Sequence, residues 1–476
     1  MGTPTISSHL IRREFAGAVL GDARLSERLV AVAETLAAAP DRSLPQAMRS
    51  RSPLEAAYRF FGNERVTMRA ILEPHLTQTC ARIAPHRLVL AVHDTSALEY
   101  PGERLGMGPL GGVKHRGYLL HATLAVTAEG LRQPLGVLGA RTWARPETKR
   151  PKRNGRGMSG ADYSRIALKE SQRWAEQIEE TEARIGSVAQ LIHIADREGD
   201  AFPLLQSLHD KQRRFVIRAS RDRRIEDDQE DVKLLGEACA RALHVIEFEV
   251  PISPRRASTI PRLAKTHPER ENRVARLAVS AITVNLVRPN YLGRGHTLDV
   301  NVVYVRELDA PPDTSPLQWV LYTSEPIDTL QDLLAVIEYY RARWLIEELF
   351  KALKTGCQIE KLQLESYDSL TNALGVYLPV AWASLALRAI SRTRPDAPAT
   401  DVLSPTQLQV LRRFGSHKLP EQATVRDALL AVAVFGGYIP HRKPPGWLVL
   451  ARGMQDLLRY ELVWSAAKAE KDVLDP

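Results

Sequence analysis

Two short apolar runs that end on an acid constrain this chain most: RLVLAVHD at 87–94 and LIHIAD at 191–196. Each is rich in Val, Leu and Ile and reads as a buried strand. YLLHATLAVT at 118–127 and PLGVLGART at 134–142 read as two more strands, parted by an AEG turn. A helix is expected over 161–185, a short one over 199–209 and a fifth strand over 213–220. Three strands, then helix, strand, helix and strand, predict an α/β core. Residues 236–316 break that order. Their β-branched, alternating segments and Pro-Asn or Gly turns predict a mainly antiparallel sheet inserted into the core. WVLYTSEP at 319–326 resumes the buried strands, and a long helix is expected from Leu330 to Thr355, stopped by Gly356.

Residues 1–70 read as short helices. Asp22 is placed to cap a helix running to about Ala39, with Leu25, Leu29, Val32 and Leu36 as its apolar stripe. Pro53 suits a first helical turn, and Gly62-Asn63 ends that helix. Arg24, Arg28, Arg49, Arg51 and Arg59 decorate these helices; solvated faces and a DNA-reading module both account for them. Beyond 366 the chain is mostly helical, with a Pro/Asp/Thr-rich link at 392–407. The expected organisation is therefore a helical domain over 1–70, a catalytic-type α/β domain over 71–365 with its β-rich insertion at about 236–316, and a helical domain over 366–476.

Composition removes whole classes. With 44% hydrophobic and 25% charged residues, the chain is neither disordered nor fibrous. No stretch nears 18 uninterrupted apolar residues, so no membrane span is expected, and the first residues lack a secretory h-region. Cys80, Cys239 and Cys357 suit neither a disulfide framework nor a zinc site, so a reducing cytoplasm is expected. The net charge is +9 and the pI about 9.4, which points to a polyanionic partner, nucleic acid first. The charge is unevenly spread. Residues 141–157 and 211–224 are each net +6 and residues 253–276 net +5, leaving the remainder at −8. These three basic segments are expected DNA-backbone tracks, although solvated loops have the same composition.

Asp94 and Asp196 each follow an apolar run, where open α/β sheets place their active sites. Two carboxylates there can share a hard cation such as Mg²⁺, while a turn or N-cap acid accounts for either one alone. On a helix at about 100° per residue, Arg343, Glu347, Lys351 and Lys354 share one stripe with Tyr340. Ile346, Leu349 and Leu353 form a separate apolar face. One acid among cations is what a metal-and-phosphate surface needs; an Arg343–Glu347 pair at i,i+4 fits the same spacing.

YRARWLIEELFKALK at 340–354 carries the spacing Tyr-x₂-Arg-x₃-Glu-x₆-Lys. With HDTSALEY at 93–100 and IADREGD at 194–200, it resembles the DDE transposases of the insertion-sequence-four family. LGDARLSERLV, EAAYRFFGN, WARPE, KESQRW, WVLYTSEP and FGGYIPHRKPPGW extend the resemblance over almost the whole chain. The resemblance implies an RNase H-like core with a β-sheet insertion and a cut-and-paste reaction. Asp94, Asp196 and Glu347 would then be the catalytic, metal-binding triad, taking two Mg²⁺ per active site with Mn²⁺ as substitute. Tyr340, Arg343 and Lys354 would hold transposon-end phosphates, and Trp319 would stack on a flipped base during hairpin formation. The N-terminal helices, with Arg24 and Arg28, would read double-stranded DNA bearing the terminal inverted repeats. Arg218 and Arg221, beyond the fifth strand, are further expected DNA contacts, chosen by position and not by signature. Target DNA would be the second substrate, and the C-terminal helices would support a homodimer in the DNA-bound synaptic complex. The setting implied is the nucleoid of a bacterial cytoplasm, with no membrane. A catalytically inactive or repurposed DNA-end-binding protein is the competing reading, and an RNase H-like repair nuclease a third.

Overall fold

The computed structural model describes residues 8–110, 115–130, 132–146, 160–226, 233–252, 269, 271–293, 295–312, 314, 316–440 and 445–474. Most of the basic segments 141–157 and 253–276, and part of FGGYIPHRKPPGW, lie outside the described residues. The protein is mixed α/β and divides into two compact units: Met1–Gly157 with Glu180–Gln190 and Trp344–Pro476, and Met158–Glu179 with Leu191–Arg343. The division by compactness thus interleaves the chain, where the division by sequence order does not.

The first unit opens with α1 (Ser8–Phe15), α2 (Ala23–Ala37), α3 (Leu44–Met48), α4 (Arg51–Phe61) and α5 (Met68–Ile83). Asp22 caps α2 as expected, its Oδ1 accepting from the Arg24 N–H at 2.8 Å. Leu29, Val32 and Leu36 are buried, whereas Leu25 is only half-buried. Strands β1 (Leu88–Glu99), β2 (Gly108–Pro109), β3 (Arg116–Thr127) and β4 (Pro134–Trp143) follow. β3 lies between β1 and β4, antiparallel to both. β1 does not stop at Asp94, as the sequence predicts. It pairs on through Glu99 opposite Gly117, so Asp94 lies in mid-strand opposite Ala122. The polar residues Thr95 and Ser96 ended the apolar pattern without ending the ladder.

α5 packs on β4. Gly136 permits this: its φ is +149°, and a Cβ there would come within 2.1 Å of the Thr79 Oγ1. A buried polar knot closes the contact. Glu14 accepts from His75 Nδ1 at 2.5 Å and from Arg82 Nη1 at 2.6 Å, and the Val137 N–H donates to His75 Nε2 at 3.0 Å. That last bond fixes His75 as the neutral tautomer with its proton on Nδ1.

The second unit holds the first part of α6 (Gly160–Ile185), which continues into the first unit. It then contains β5 (Gln190–Ala195), α7 (Phe202–Asp210), β6 (Arg214–Arg218), β7 (Ile225–Glu226), α8 (Leu235–Arg241), β8 (His244–Ile252), β9 (Arg273–Leu286), β10 (Leu298–Glu307), β11 (Gln318–Thr323) and α9 (Leu330–Ala342). The expected helix at 199–209 is a 3₁₀ turn at Arg197–Gly199 followed by α7, which Pro203 helps to start. β5 and β6 are parallel, and β6-β11-β10-β9 continue antiparallel, with β7 and β8 both on β9. The inserted antiparallel sheet is therefore continuous with β11 and β6 and not a separate layer. Trp174, Phe202, Leu205 and Leu208 from the helices bury against Phe215, Ile217, Val302 and Tyr322 from this sheet. Each such burial contributes about 1.5–3 kcal/mol.

Back in the first unit, α10 (Trp344–Lys351) begins directly after α9. The single helix expected over 330–355 is thus interrupted at Arg343, whose N–H bonds back to Tyr340 O at 3.0 Å, a three-residue reach. A π-turn, Ala352–Gly356, ends the element at the expected glycine. α11 (Tyr367–Thr393), α12 (Pro405–Phe414), α13 (Val425–Phe435) and α14 (Trp447–Leu474) complete the chain. By length and composition alone α11 could cross a membrane, but 89% of its apolar window is buried, and α2, α4, α5 and β4 pack around it as around a core helix.

Candidate active site

Asp94 is 8% exposed on β1, on the same face as Val92 and Ser96. Its Oδ1 accepts from the Thr95 N–H at 2.8 Å. The opposite face of the β1–β3 pair carries a buried polar layer: His93 stacks on His121 at 5.7 Å, Thr123 bonds His93, and Thr95 bonds His121. Burial, with Arg141 nearby, pushes His121 down to about 3.

α10 packs on β1, so Glu347 and Asp94 come from packed elements of one unit. Ile346, Leu349 and Phe350 anchor α10 in the core, and Glu347 is half-buried. The neighbouring Glu348 is buried and takes both oxygens to Arg392 Nη1 at 3.0 Å. Lys354 donates to the Ala97 carbonyl of β1 at 2.6 Å and faces Glu360 at 3.9 Å. It is thus half-buried against the strand that carries Asp94, and one of its three protons is already engaged.

In the second unit, Asp196 follows β5 directly, as expected, and starts the 3₁₀ turn by accepting the Glu198 N–H at 2.8 Å. Gly199 is required in this turn, because a Cβ would fall 2.6 Å from the Ala195 Cβ. Arg197 lies close enough to Arg218, Tyr340 and Asp196 to sense all three. Partial burial and Arg218 lower its affinity for a proton, while Tyr340 and Asp196 raise it. Trp319 meets Tyr340 edge-on at 5.5 Å, and Arg343 lies 6.0 Å from the same ring. Tyr340 is 5% exposed; Trp319 and Arg343 are half-buried. Arg218 donates to the Gln318 carbonyl beside Trp319 at 2.9 Å. Arg221 is exposed. The second unit therefore gathers Asp196, Trp319, Tyr340, Arg343 and Arg218 from the expected set and adds Arg197. The only signal for Arg197 was its place beside Asp196.

The basic segment 211–224 is not the continuous track its composition suggests. Lys211 and Arg213 pair with Glu179, Arg214 with Glu325 and Arg223 with Asp200. Arg24 and Arg28 sit on the exposed face of α2.

Among the described residues, no three His, Cys, Asp or Glu side chains are grouped as a metal site. The donor set Asp94, Asp196 and Glu347 is all carboxylate oxygen, which fits a hard cation such as Mg²⁺ in chemistry.

Residues 7–66 match the family described as Transposase DNA-binding, and residues 169–379 match the Transposase DDE domain. The first match contains Arg24 and Arg28; the second contains Asp196, Arg218, Arg221, Trp319, Tyr340, Arg343, Glu347 and Lys354, and begins after Asp94. The chain therefore carries a transposase DNA-binding domain and a transposase DDE domain, a pairing that supports a DNA transposase of the DDE class with DNA as its partner.

Proposed function

We propose that the protein is a cut-and-paste transposase of the insertion-sequence-four family, resembling that of transposon Tn-five, with an RNase H-like core. The observation that carries this reading is the cluster of Asp196, Arg197, Arg218, Trp319, Tyr340 and Arg343, inside a DDE match and behind a transposase DNA-binding match. Guanidinium groups beside two aromatic rings, with an acid next to Arg197, suit a strand end: arginines take phosphate oxygens, and a ring stacks on a displaced base.

Asp94, Asp196 and Glu347 are the carboxylates that would hold two Mg²⁺, or Mn²⁺ in their place. Bound there, such ions would polarise the phosphoryl oxygens and lower the pKa of the attacking hydroxyl or water. Arg218, Arg221, Arg343, Tyr340 and Lys354 would fix the backbone of the transposon end, and Trp319 would receive the base that a tight hairpin expels. Water cleaves one strand; the freed 3′-OH attacks the opposite strand and forms the hairpin. A second water opens it, and the same 3′-OH then joins target DNA. Each step forms one P–O bond from water or a 3′-hydroxyl and breaks one P–O ester bond, the leaving oxygen departing as a hydroxyl, so no side-chain nucleophile is needed. Phe414, Tyr460, Leu462 and Val463 are exposed on α12 and α14, with Phe414 and Tyr460 rings 4.9 Å apart. Exposed apolar side chains on these C-terminal helices support a homodimer in the DNA-bound complex. The chain would act at the nucleoid, in the cytoplasm.

The test is nicking of duplexes that carry the inverted repeats flanking the gene. Asp94→Ala should keep duplex binding and lose nicking in Mg²⁺ by more than about 100-fold, since even supporting partners of metal ligands cost 10–100-fold. Wild-type cleavage by Asp94→Ala would overturn the triad. A wild-type protein that binds the ends but never nicks them with Mg²⁺ or Mn²⁺ would instead be an inactive end-binding protein.

A further inference from the structure

Asp200 lies four residues beyond Asp196 in the same motif and carries the same carboxylate, so its surroundings bear on whether it too could hold a metal. Its surroundings exclude that use. Oδ2 accepts the Ser220 N–H at 2.6 Å, the Ser220 hydroxyl at 3.0 Å and the Arg221 N–H at 3.1 Å. Oδ1 accepts Arg223 Nε at 3.0 Å and Nη2 at 2.5 Å. Five donors fill the acceptor capacity of one carboxylate. The Asp200 carbonyl takes a further bond from Arg223 Nη2 at 3.0 Å, and the pair is almost fully buried, at 5% and 7% exposure. The Arg223 guanidinium also lies 6.0 Å from the ring of Phe202, at the start of α7.

A buried ion pair adds little net stability, because desolvation offsets most of its attraction. What it adds here is a fixed shape. The groups bound to Asp200 belong to the turn after β6; Arg221 sits on that turn, and Arg218 ends the strand that leads into it. Arg218 reaches the Gln318 carbonyl next to Trp319, and Arg221 is exposed while its own N–H is tied to Asp200. We infer that Asp200 is a positioning residue for DNA binding: it holds the 218–223 turn from behind so that its exposed arginine meets the phosphate backbone already ordered. This rests on the reading of the protein as a DNA-acting enzyme. Preordering removes the cost of immobilising a long side chain and a loop on binding.

The test is a double-mutant cycle on the full chain, with a random-sequence DNA duplex as probe and Kd read at fixed salt. Asp200→Asn keeps the volume but loses the charge; Arg221→Ala removes the phosphate-facing group. Each should weaken binding by about three- to tenfold. If Asp200 acts through the turn, the double variant binds no more than about twofold worse than the weaker single. Effects that multiply would overturn the inference, since a general loss of structure would add to the loss of Arg221. Should Asp200→Asn fail to unfold cooperatively, Ser220→Ala replaces it in the cycle; it removes one donor and leaves the ion pair. Failure of the wild-type protein to bind the duplex would overturn the functional reading itself, and the two failures are therefore distinct.

Discussion

His121 shows how one side chain can link the fold to pH. It is fully buried on β3 opposite Thr95, on the sheet face away from Asp94, and burial above all, then the charge of Arg141, pushes it down to about 3. His75 is also lowered, chiefly by burial, and the Val137 N–H blocks the nitrogen a second proton would need. In the unfolded chain both return to the ordinary histidine value near 6.5. The unfolded state therefore binds more protons below that value, and stability falls as pH falls. Both lower stability progressively below about 6.5; for His121, neutral in the fold down to about 3, the loss approaches about 1.4 kcal/mol per pH unit. The thermal midpoint should drop between pH 7 and pH 5 by a margin that His121→Gln reduces, because Gln keeps a polar partner for Thr95 without a proton to gain. An equal drop in wild type and variant would remove His121 as a source.

Much at the scale of elements was legible in the sequence, and the exceptions have causes. Local signals worked where a local bond sets the structure: Asp22 caps α2, and Asp196 ends β5 and opens a turn on its own backbone. They failed where a distant partner decides. YRARWL contains neither Gly nor Pro, so nothing local announces the interruption at Arg343. Asp94 was expected at a strand end because the apolar run stops there, yet β3 carries the pairing five residues further. Asp200 and Glu348 were invisible as anchors, since their partners lie 20 to 44 residues away. Glu348 has a consequence for α10, an eight-residue helix with irregular backbone at both ends. So short a helix is held by tertiary anchors, not by its own propensity. Replacing Arg392 by Met leaves the buried Glu348 carboxylate without its partner, which should cost about 1–3 kcal/mol. Because α10 carries Glu347, the same variant should lose nicking more than duplex binding. Parallel losses in both assays would show that Arg392 does not act through the helix.

Over the whole molecule, the net charge of +9 first suggested a polyanionic partner, and the structure changes how much of it a partner can use. Segment 211–224 is net +6 when counted along the chain. Glu179, Glu325 and Asp200, all distant in sequence, engage Lys211, Arg213, Arg214 and Arg223. Arg221 is exposed, whereas Arg213 faces Glu179 at 3.6 Å and is about one-third exposed. Each phosphate neutralised by a cation releases counterions, and the logarithm of affinity then falls with the logarithm of salt by about 0.9 per contact. An arginine already matched by a glutamate cannot add a full contact without losing that partner. Arg221→Gln should therefore lower the salt slope for a random-sequence duplex by about 0.9, whereas Arg213→Gln should change it by much less. Equal reductions in the two variants would mean that Glu179 gives up Arg213 to the DNA. The usable positive surface would then be closer to the count along the chain than to the ion pairs of the folded protein.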